Sequence, residues 1–541
     1  MARSTGGQAL VAALTAHGVD TVFGIPGTHN LAAYAALARH GVRHVLARHE
    51  QGAAFAADGY ARVSGRVGVC LTTTGPAILN AASAAAQSYS DSVPVLLVSP
   101  GMPLDHPGRG NGHLHEVKDQ RAALDAVVAY SHRVTSVPEI SLAVAQAFVS
   151  MATGRPRPVH LEIPLDLLDA EGEVTEVGPL AAGRVVPAHG PLRDATQLLA
   201  TAARPLVVAG GGARGAAPDL LRLARRLGAP VITTANGKGA VPEDDPLSLG
   251  AGLQHPSVTA LVEDSDVVLA VGTELAPADL WLGPLHVPGR LVRIDIDATS
   301  IATNAVPAVA VVSDAAAALS ALLEALGSTS PADDGHERAS RWRARIRAEA
   351  QAEGGPWLGI VDALAAALGR DAVVAGDSAM ACYYGALSNL PLHQPSSFLY
   401  PAGLGTLGYG LPAAIGAKLA RPEADVLALH GDGGVMFTIA ELAAAAELRL
   451  PLPVVVVDNG GYGEIRNEMA DRGEAVHAVA LGAPDFPMLA RALGCHGVEV
   501  QRPEQLTAEV QQALEADRPT LLHVRESSRA AVHPSDPSRR P

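Results

Sequence analysis

The chain has 541 residues, 48% of them hydrophobic and 18% charged, with a formal net charge of −15 at pH 7. That length exceeds one ordinary domain and sets an expectation of three or four, with apolar residues enough for large buried cores. The acidic balance argues against a general nucleic-acid binder and against attachment to an anionic membrane.

From the N-terminus, helical and strand patterns alternate. GQALVAALTAHG reads as an amphipathic helix ending at Gly18, followed by the strand TVFGI, the turn PGTHN and the helix LAAYAALARHG, closed by Gly41. The strand RHVLA, a helix beginning near Glu50, the strand GVCLTT, a helix from GPAILN and the strand VPVLLVS continue the alternation. It predicts a parallel sheet with helices on both faces. Residues 100–122 break the pattern with Pro, Gly and His and read as a long loop, a place where function often sits. PRPVHLEIPLD closes a first domain at 1–168, and a polar, Pro- and Gly-containing stretch near 168–190 reads as a linker. A second α/β domain is expected over 190–327, with strands PLVVAG, APVITTA, VVLAVG and VRIDID. Its GGGARG turn is a poor match to a dinucleotide loop and reads better as an ordinary tight strand-to-helix turn. Residues 327–356 form a charged, partly helical connection to a third domain at 357–526. The tail, 527–541, has little apolar content and is expected to be mobile. Three doubly wound parallel-sheet α/β domains are therefore predicted. With aromatics at 3%, Ala and Gly do the packing.

Cys70, Cys382 and Cys495 are odd in number and widely spaced, so neither a disulfide framework nor a zinc site is expected. No apolar run approaches the ~20 residues of a membrane span. The start, MARSTGGQALVAAL, lacks a secretory apolar core with a cleavage site. A cytoplasmic protein without membrane or nucleic-acid partners is the expectation.

Residues 426–463 carry the clearest chemistry. VLALH and PVVVV read as parallel neighbouring strands joined by a helix from about Thr438 to Leu450. The turns after them open at the same carboxyl edge, where ligands bind in open α/β folds. One delivers Asp432 and the other Asn459, 27 residues apart in sequence. A carboxylate, an amide oxygen and nearby backbone carbonyls are hard oxygen ligands suited to Mg²⁺. Gly431, Gly433, Gly434, Gly460, Gly461 and Gly463 expose N–H groups to phosphate oxygens. The physical reading is a Mg²⁺–diphosphate site.

G-D-G, about thirty residues, then N-x-G resembles the signature of thiamine diphosphate enzymes. The resemblance implies Asp432, Asn459 and the carbonyl of Gly461 as metal ligands, with Gly431, Gly433, Gly434, Tyr462 and Gly463 around the diphosphate. RHEQGAAFAADGYAR resembles the same superfamily and implies that Glu50 hydrogen-bonds the aminopyrimidine N1′ of the cofactor. A carboxyl there favours the imino tautomer, whose nitrogen can take the thiazolium proton. Taken alone, Glu50 is also a carboxylate favoured at a helix N-terminus. GLGTLGYGLPAAIGAK is similar to the segment that cradles the aminopyrimidine: Leu407 matches the wedge that bends the cofactor, and Gly405 supplies a carbonyl. GDSAM implicates Asp377 and Ser378 at the diphosphate; Pro26, Thr74 and Asn80 fall in turns that the resemblance assigns to the cofactor. In TTTGPAILN, Ala77 replaces a glycine of the family turn, and Gly434 stands where many relatives carry serine. The order implied is pyrimidine-binding, central and diphosphate-binding domains. It further implies a homodimer or homotetramer with sites at subunit interfaces, Glu50 coming from one copy and Asp432 from another.

The reaction implied begins on a 2-oxo acid. Thr28 is the preferred match to the turn residue facing the reacting group, with His29 its neighbour. His115, in the loop with His113 and Glu116, is a candidate proton carrier because its intrinsic pKa is near neutral; a simply solvated loop is the competing reading. Glu464 and Glu468 lie four apart, on one face of a helix, and suit a cationic substrate tail. A surface helix with Arg466 pairing is the alternative. The pattern looks like the 5-guanidino-2-oxopentanoate decarboxylase branch. Non-oxidative decarboxylation of such an acid leads, with an acetolactate-synthase-like carboligase as the alternative. FAD belongs to a third branch and is not favoured, because the central domain shows no clear flavin fingerprint.

Overall fold

The structure, a computed structural model, describes residues 2–281, 283–327, 334–482 and 484–526; the expected mobile tail lies outside them. Twenty strands fall into three six-stranded sheets and one two-stranded pair among the described residues. The first sheet is built from β2 (Thr21–Gly24), β3 (Arg43–Leu46), β4 (Gly68–Leu71), β5 (Val95–Gly101), β6 (Ser131–Arg133) and β7 (Val159–Pro164). Its order is β3-β2-β4-β5-β7-β6, parallel throughout. The small pair joins β1 (Ala2–Thr5) to β8 (Glu171–Val174), antiparallel. The stretch read as a linker is thus anchored at its start.

The central sheet comprises β9 (Pro205–Ala209), β10 (Val231–Thr233), β11 (Ser248–Ala251), β12 (Val267–Val271), β13 (Arg290–Asp295) and β14 (Val309–Val312), ordered β11-β10-β9-β12-β13-β14. The third holds β15 (Val373–Gly376), β16 (Phe398–Leu399), β17 (Val426–Gly431), β18 (Pro453–Asp458), β19 (His496–Val500) and β20 (Thr520–Arg525), ordered β16-β15-β17-β18-β20-β19. The expected three doubly wound parallel sheets are present. The charged connection is largely a 20-residue helix, Gly335–Gly354.

Each sheet has an inner switch point where the strand order reverses (the first and third sheets also turn back at the edge strands β6 and β19), and a crevice opens there, beyond the carboxyl ends of the strands. The reversals fall between β2 and β4, between β9 and β12, and between β15 and β17. The turns after those strands carry Thr28 and Thr74 in the first domain, and Asp377 and Asp432 in the third. Sheet topology therefore selects the same residues as the motifs.

The first and third sheets share one apolar core, centred on the helices Glu50–Ser64 and Gly410–Ala420. The helices touch backbone to backbone: a Cβ on Gly59 would stand 2.2 Å from the Ala413 carbonyl oxygen, and one on Gly416 1.9 Å from that of Ala56. Small residues are required for that approach, which accounts for the Ala- and Gly-rich packing. Within the same contact Arg62 is fully buried, bonded to Asp58 at 2.6 Å, Asp91 at 2.8 Å and Asn236 of the central domain at 2.9 Å. Tyr409 donates to Asp58 at 2.7 Å. The buried guanidinium thus keeps its charge among carboxylates and joins all three domains.

Candidate active site

The β17–β18 register sets Gly431 beside Val457, so the turns bearing Asp432 and Asn459 leave the sheet side by side. Asp432 is buried. Burial, and then the neighbouring Asp458 charge, raise its carboxyl above the usual range, against the N–H groups of Asn459, Asp432 and Gly433. The Asn459 side-chain oxygen is buried with no hydrogen-bond partner among the described residues, while its amide nitrogen lies 3.8 Å from the Met380 sulfur. A buried carboxylate short of positive charge and an orphaned amide oxygen are what an oxygen-coordinated cation would satisfy. Among the described residues no three His, Cys, Asp or Glu side chains converge on a metal position, so a cation here would rely on neutral oxygens beside one carboxylate.

Gly461, at φ 136°, packs on the Val479 carbonyl, where a Cβ would come within 2.1 Å; its own carbonyl accepts from Gly463 N at 3.0 Å. The Tyr462 ring lies against Gly433. The helix expected from Thr438 to Leu450 is shorter, Glu441–Glu447, preceded by a helical turn at Asp432–Val435. Thr438 is drawn off the helix because its hydroxyl donates to the Gly408 carbonyl at 2.7 Å. That bond holds the 405–408 turn, with Gly405 and Leu407, against the Asp432 turn.

Asp377 is fully buried and accepts from Gly408 N and Tyr409 N at 3.0 Å each, with His430 Nδ1 also at 3.0 Å. Its carboxylate holds these protein groups in register. Ser378 neighbours the Tyr400 hydroxyl.

In the N-terminal domain, Glu50 opens its helix half-buried, and Asn80 Nδ2 donates to Glu50 Oε2 at 2.9 Å. Pro26 and Thr28 are exposed. His29 turns inward, its Nδ1 3.1 Å from the Thr74 hydroxyl and its ring 5.2 Å from that of His115 and 6.1 Å from that of His113. Burial, then the charges of His115 and His113, lower the pKa of His29. Gly75 sits beneath the His115 carbonyl, where a Cβ would come within 2.2 Å, and its N–H donates to Gln120 Oε1 at 2.8 Å. The close approach falls on Gly75, so Ala77 is accommodated without difficulty in the first turn of the next helix. Glu116 accepts from the N–H groups of Asn111, Gly112 and His113, which gives the loop a fixed shape.

Glu464 and Glu468 part company. Tyr384 and Tyr383 donate to Glu464 at 3.0 and 3.3 Å, and Trp281 of the central domain meets both rings edge-on at 5.7 and 6.2 Å. Glu468 reaches Arg472 at 3.8 Å, and Arg466 donates to the Asn459 carbonyl at 3.2 Å rather than entering the expected surface pairing. The sequence reading missed the two tyrosines, Trp281 and Gln120. Only adjacent Tyr383 and Tyr384, in a chain poor in aromatics, gave a signal.

Three family models match in order: the N-terminal TPP binding domain of thiamine pyrophosphate enzymes over residues 4–123, their central domain over 192–322, and their C-terminal TPP binding domain over 375–524. The chain belongs to the thiamine pyrophosphate (diphosphate) enzymes. Within them it is a 2-oxo acid enzyme of the decarboxylase or acetolactate-synthase-like kind. It is 43% identical to the probable 2-ketoarginine decarboxylase AruI of Pseudomonas aeruginosa, over 96% of this chain and 94% of that protein. It is 34% identical to the acetolactate synthase isozyme 2 large subunit of Escherichia coli, over 96% and 95%. It is 33% identical to the probable acetolactate synthase large subunit of Methanocaldococcus jannaschii, over 96% and 91%. No helix among the described residues is long and apolar enough to cross a membrane.

Proposed function

We propose that the protein decarboxylates a 2-oxo acid with a cationic, guanidino-type tail, 5-guanidino-2-oxopentanoate being the chemical prototype, without oxidation. The observation that carries this is Glu464: a carboxylate five residues past Asn459, gripped by Tyr383 and Tyr384 and walled by Trp281. A carboxylate with aromatic walls suits a planar guanidinium, through charge and through cation–π contact. The name of the Pseudomonas aeruginosa relative, a probable 2-ketoarginine decarboxylase, agrees.

Bound thiamine diphosphate supplies the electron sink for the carbanion left by CO₂. The residues proposed to hold it are Asp432, Asn459 and the Gly461 carbonyl through Mg²⁺, with the N–H groups of the surrounding glycines on the diphosphate. Leu407 and Gly405 seat the aminopyrimidine, and Glu50, oriented by Asn80, shares a proton with its N1′. His29 and His115, held together beside Thr74, are placed to move a proton during product formation. Leu46, Leu79, Leu404, Met436 and Phe437, which flank these groups, are 39–51% exposed. A second copy covering them would unite Glu50 of one chain with Asp432 of the other.

The test is product analysis from a panel of 2-oxo acids. CO₂ and the shortened guanidino aldehyde are the expected products from 5-guanidino-2-oxopentanoate. The acetolactate synthases among the relatives favour a second reading, carboligation; abundant acetolactate from pyruvate alone would establish that one instead.

A further inference from the structure

Glu441 lies outside the metal turn, nine residues beyond Asp432, at the start of the helix Glu441–Glu447. The residue is 2% exposed, and its side chain is directed at the N-terminal domain rather than at its own. Oε1 accepts from His49 N at 2.9 Å and from Arg48 N at 3.0 Å, and Oε2 lies 3.2 Å from Arg48 N. Those donors belong to the two residues immediately before Glu50. Gly52, in the first turn of the Glu50 helix, makes the room: a Cβ there would stand 2.3 Å from Glu441 Oε1. A carboxylate from the diphosphate-binding side thus fixes the main chain from which Glu50 projects.

We propose that Glu441 is a positioning residue for Glu50, tying the turn that precedes it to the segment that carries Asp432. The proposal rests on the reading of Glu50 as the partner of the aminopyrimidine. If Glu50 serves the cofactor of a second copy, Glu441 also links the two sites of the dimer, because it joins the metal segment of one to the Glu50 turn of the other.

Burial pushes the Glu441 carboxyl up to about 7; the Arg48 and His49 amides and the Arg48 charge work against that, and the Glu50 charge adds to it. The other titratable groups facing this contact are His49 and Glu447, the latter bonded to the Arg48 guanidinium. Oε1 can keep both N–H bonds while Oε2 carries a proton, so the clamp survives protonation. What changes is the charge beside Glu50, which an ionised Glu441 makes more negative.

The test uses the full chain loaded with thiamine diphosphate and Mg²⁺. Glu441→Gln and Glu441→Ala are compared with Glu50→Gln for cofactor affinity, by quenching of protein fluorescence, and for kcat against pH. Glu441→Gln, which retains an oxygen acceptor, is expected to bind the cofactor like the wild type and to displace the acidic limb of the kcat profile. Glu441→Ala is expected to lower kcat by about a hundredfold, the scale of a misplaced catalytic group, with little change in KM. Wild-type kcat and pH profile in both variants, beside an inactive Glu50→Gln, would overturn the role of Glu441 alone. Wild-type turnover in Glu50→Gln would overturn the reading of Glu50 instead. Should the alanine variant fail to fold, an unmoved acidic limb in Glu441→Gln is itself the contradicting result.

Discussion

Gly434 and Asp377 are fitted to each other: a Cβ on Gly434 would stand 2.3 Å from Asp377 Oδ2. Asp377 has no room to yield, because it is fully buried and holds two backbone amides and His430. The turns that flank the switch point of the third sheet are thereby locked together. A side chain at 434 and a carboxylate at 377 are alternatives, which gives a physical reason for glycine at 434.

Gly434→Ala should therefore destabilise the protein by about 1–3 kcal/mol, the usual cost of forcing an atom into a packed interior. Asp377→Ala should cost about 1–3 kcal/mol by leaving buried N–H groups unpaired. The double variant should lose less than the sum, because Asp377→Ala removes the carboxylate that the added methyl at 434 would strike. Urea unfolding of the three variants checks this, and strict additivity would refute the coupling.

Removal of the metal should release the cofactor. Chelation of a loaded sample, followed by gel filtration, should yield protein without thiamine diphosphate, and Mg²⁺ should restore binding. Asp432→Ala should fail to regain it even with excess Mg²⁺. If that variant retained the cofactor as tightly as the wild type, the ligand assignment would be wrong.

Glu464→Gln tests the substrate pocket. It removes the charge while keeping an acceptor for the tyrosine hydroxyls, so KM for the guanidino acid should rise by about tenfold or more, the scale of one charged hydrogen bond. An uncharged 2-oxo acid of similar length should be handled as before. Equal effects on both substrates would point to a structural role for Glu464.

Acid stability turns on His160, which is fully buried between the hydroxyls of Ser99 and Ser131 at 2.8 and 2.7 Å. Burial lowers its pKa from 6.5 to about 3. The folded state thus holds the ring neutral while the unfolded chain takes up a proton. Its stabilising contribution is present above pH 6.5 and is lost as pH falls toward 3. Thermal melts should show the wild type losing stability more steeply below that point than His160→Gln. Because Ser99 also bonds Gln120, which holds Gly75, the His115 loop should loosen first.

Much of this was legible in the sequence because it is local. The G-D-G turn, the N-x-G turn and the Glu50 helix each declare themselves within a few residues, and alternating strands and helices fixed the class of fold. What stayed hidden depends on residues far apart in the chain. Glu441 meets Arg48 across 393 positions, and Trp281 reaches Tyr384 from another domain. Thr28 illustrates the same limit: the motif pointed to the turn, but only the turn's geometry directs His29 inward to Thr74 and leaves Thr28 exposed. The helix from Thr438 began three residues late because the Gly408 carbonyl captured the Thr438 hydroxyl, a tertiary contact overriding local helical preference.

Competition between two substrates decides whether the pocket selects a guanidinium tail. The enzyme, loaded with thiamine diphosphate and Mg²⁺, is given equal concentrations of 5-guanidino-2-oxopentanoate and pyruvate, each carrying a different carbon isotope at C1, and the released CO₂ is analysed. CO₂ should come overwhelmingly from the guanidino acid, with that preference lost in Glu464→Gln. CO₂ drawn mainly from pyruvate, with acetolactate accumulating, would contradict it.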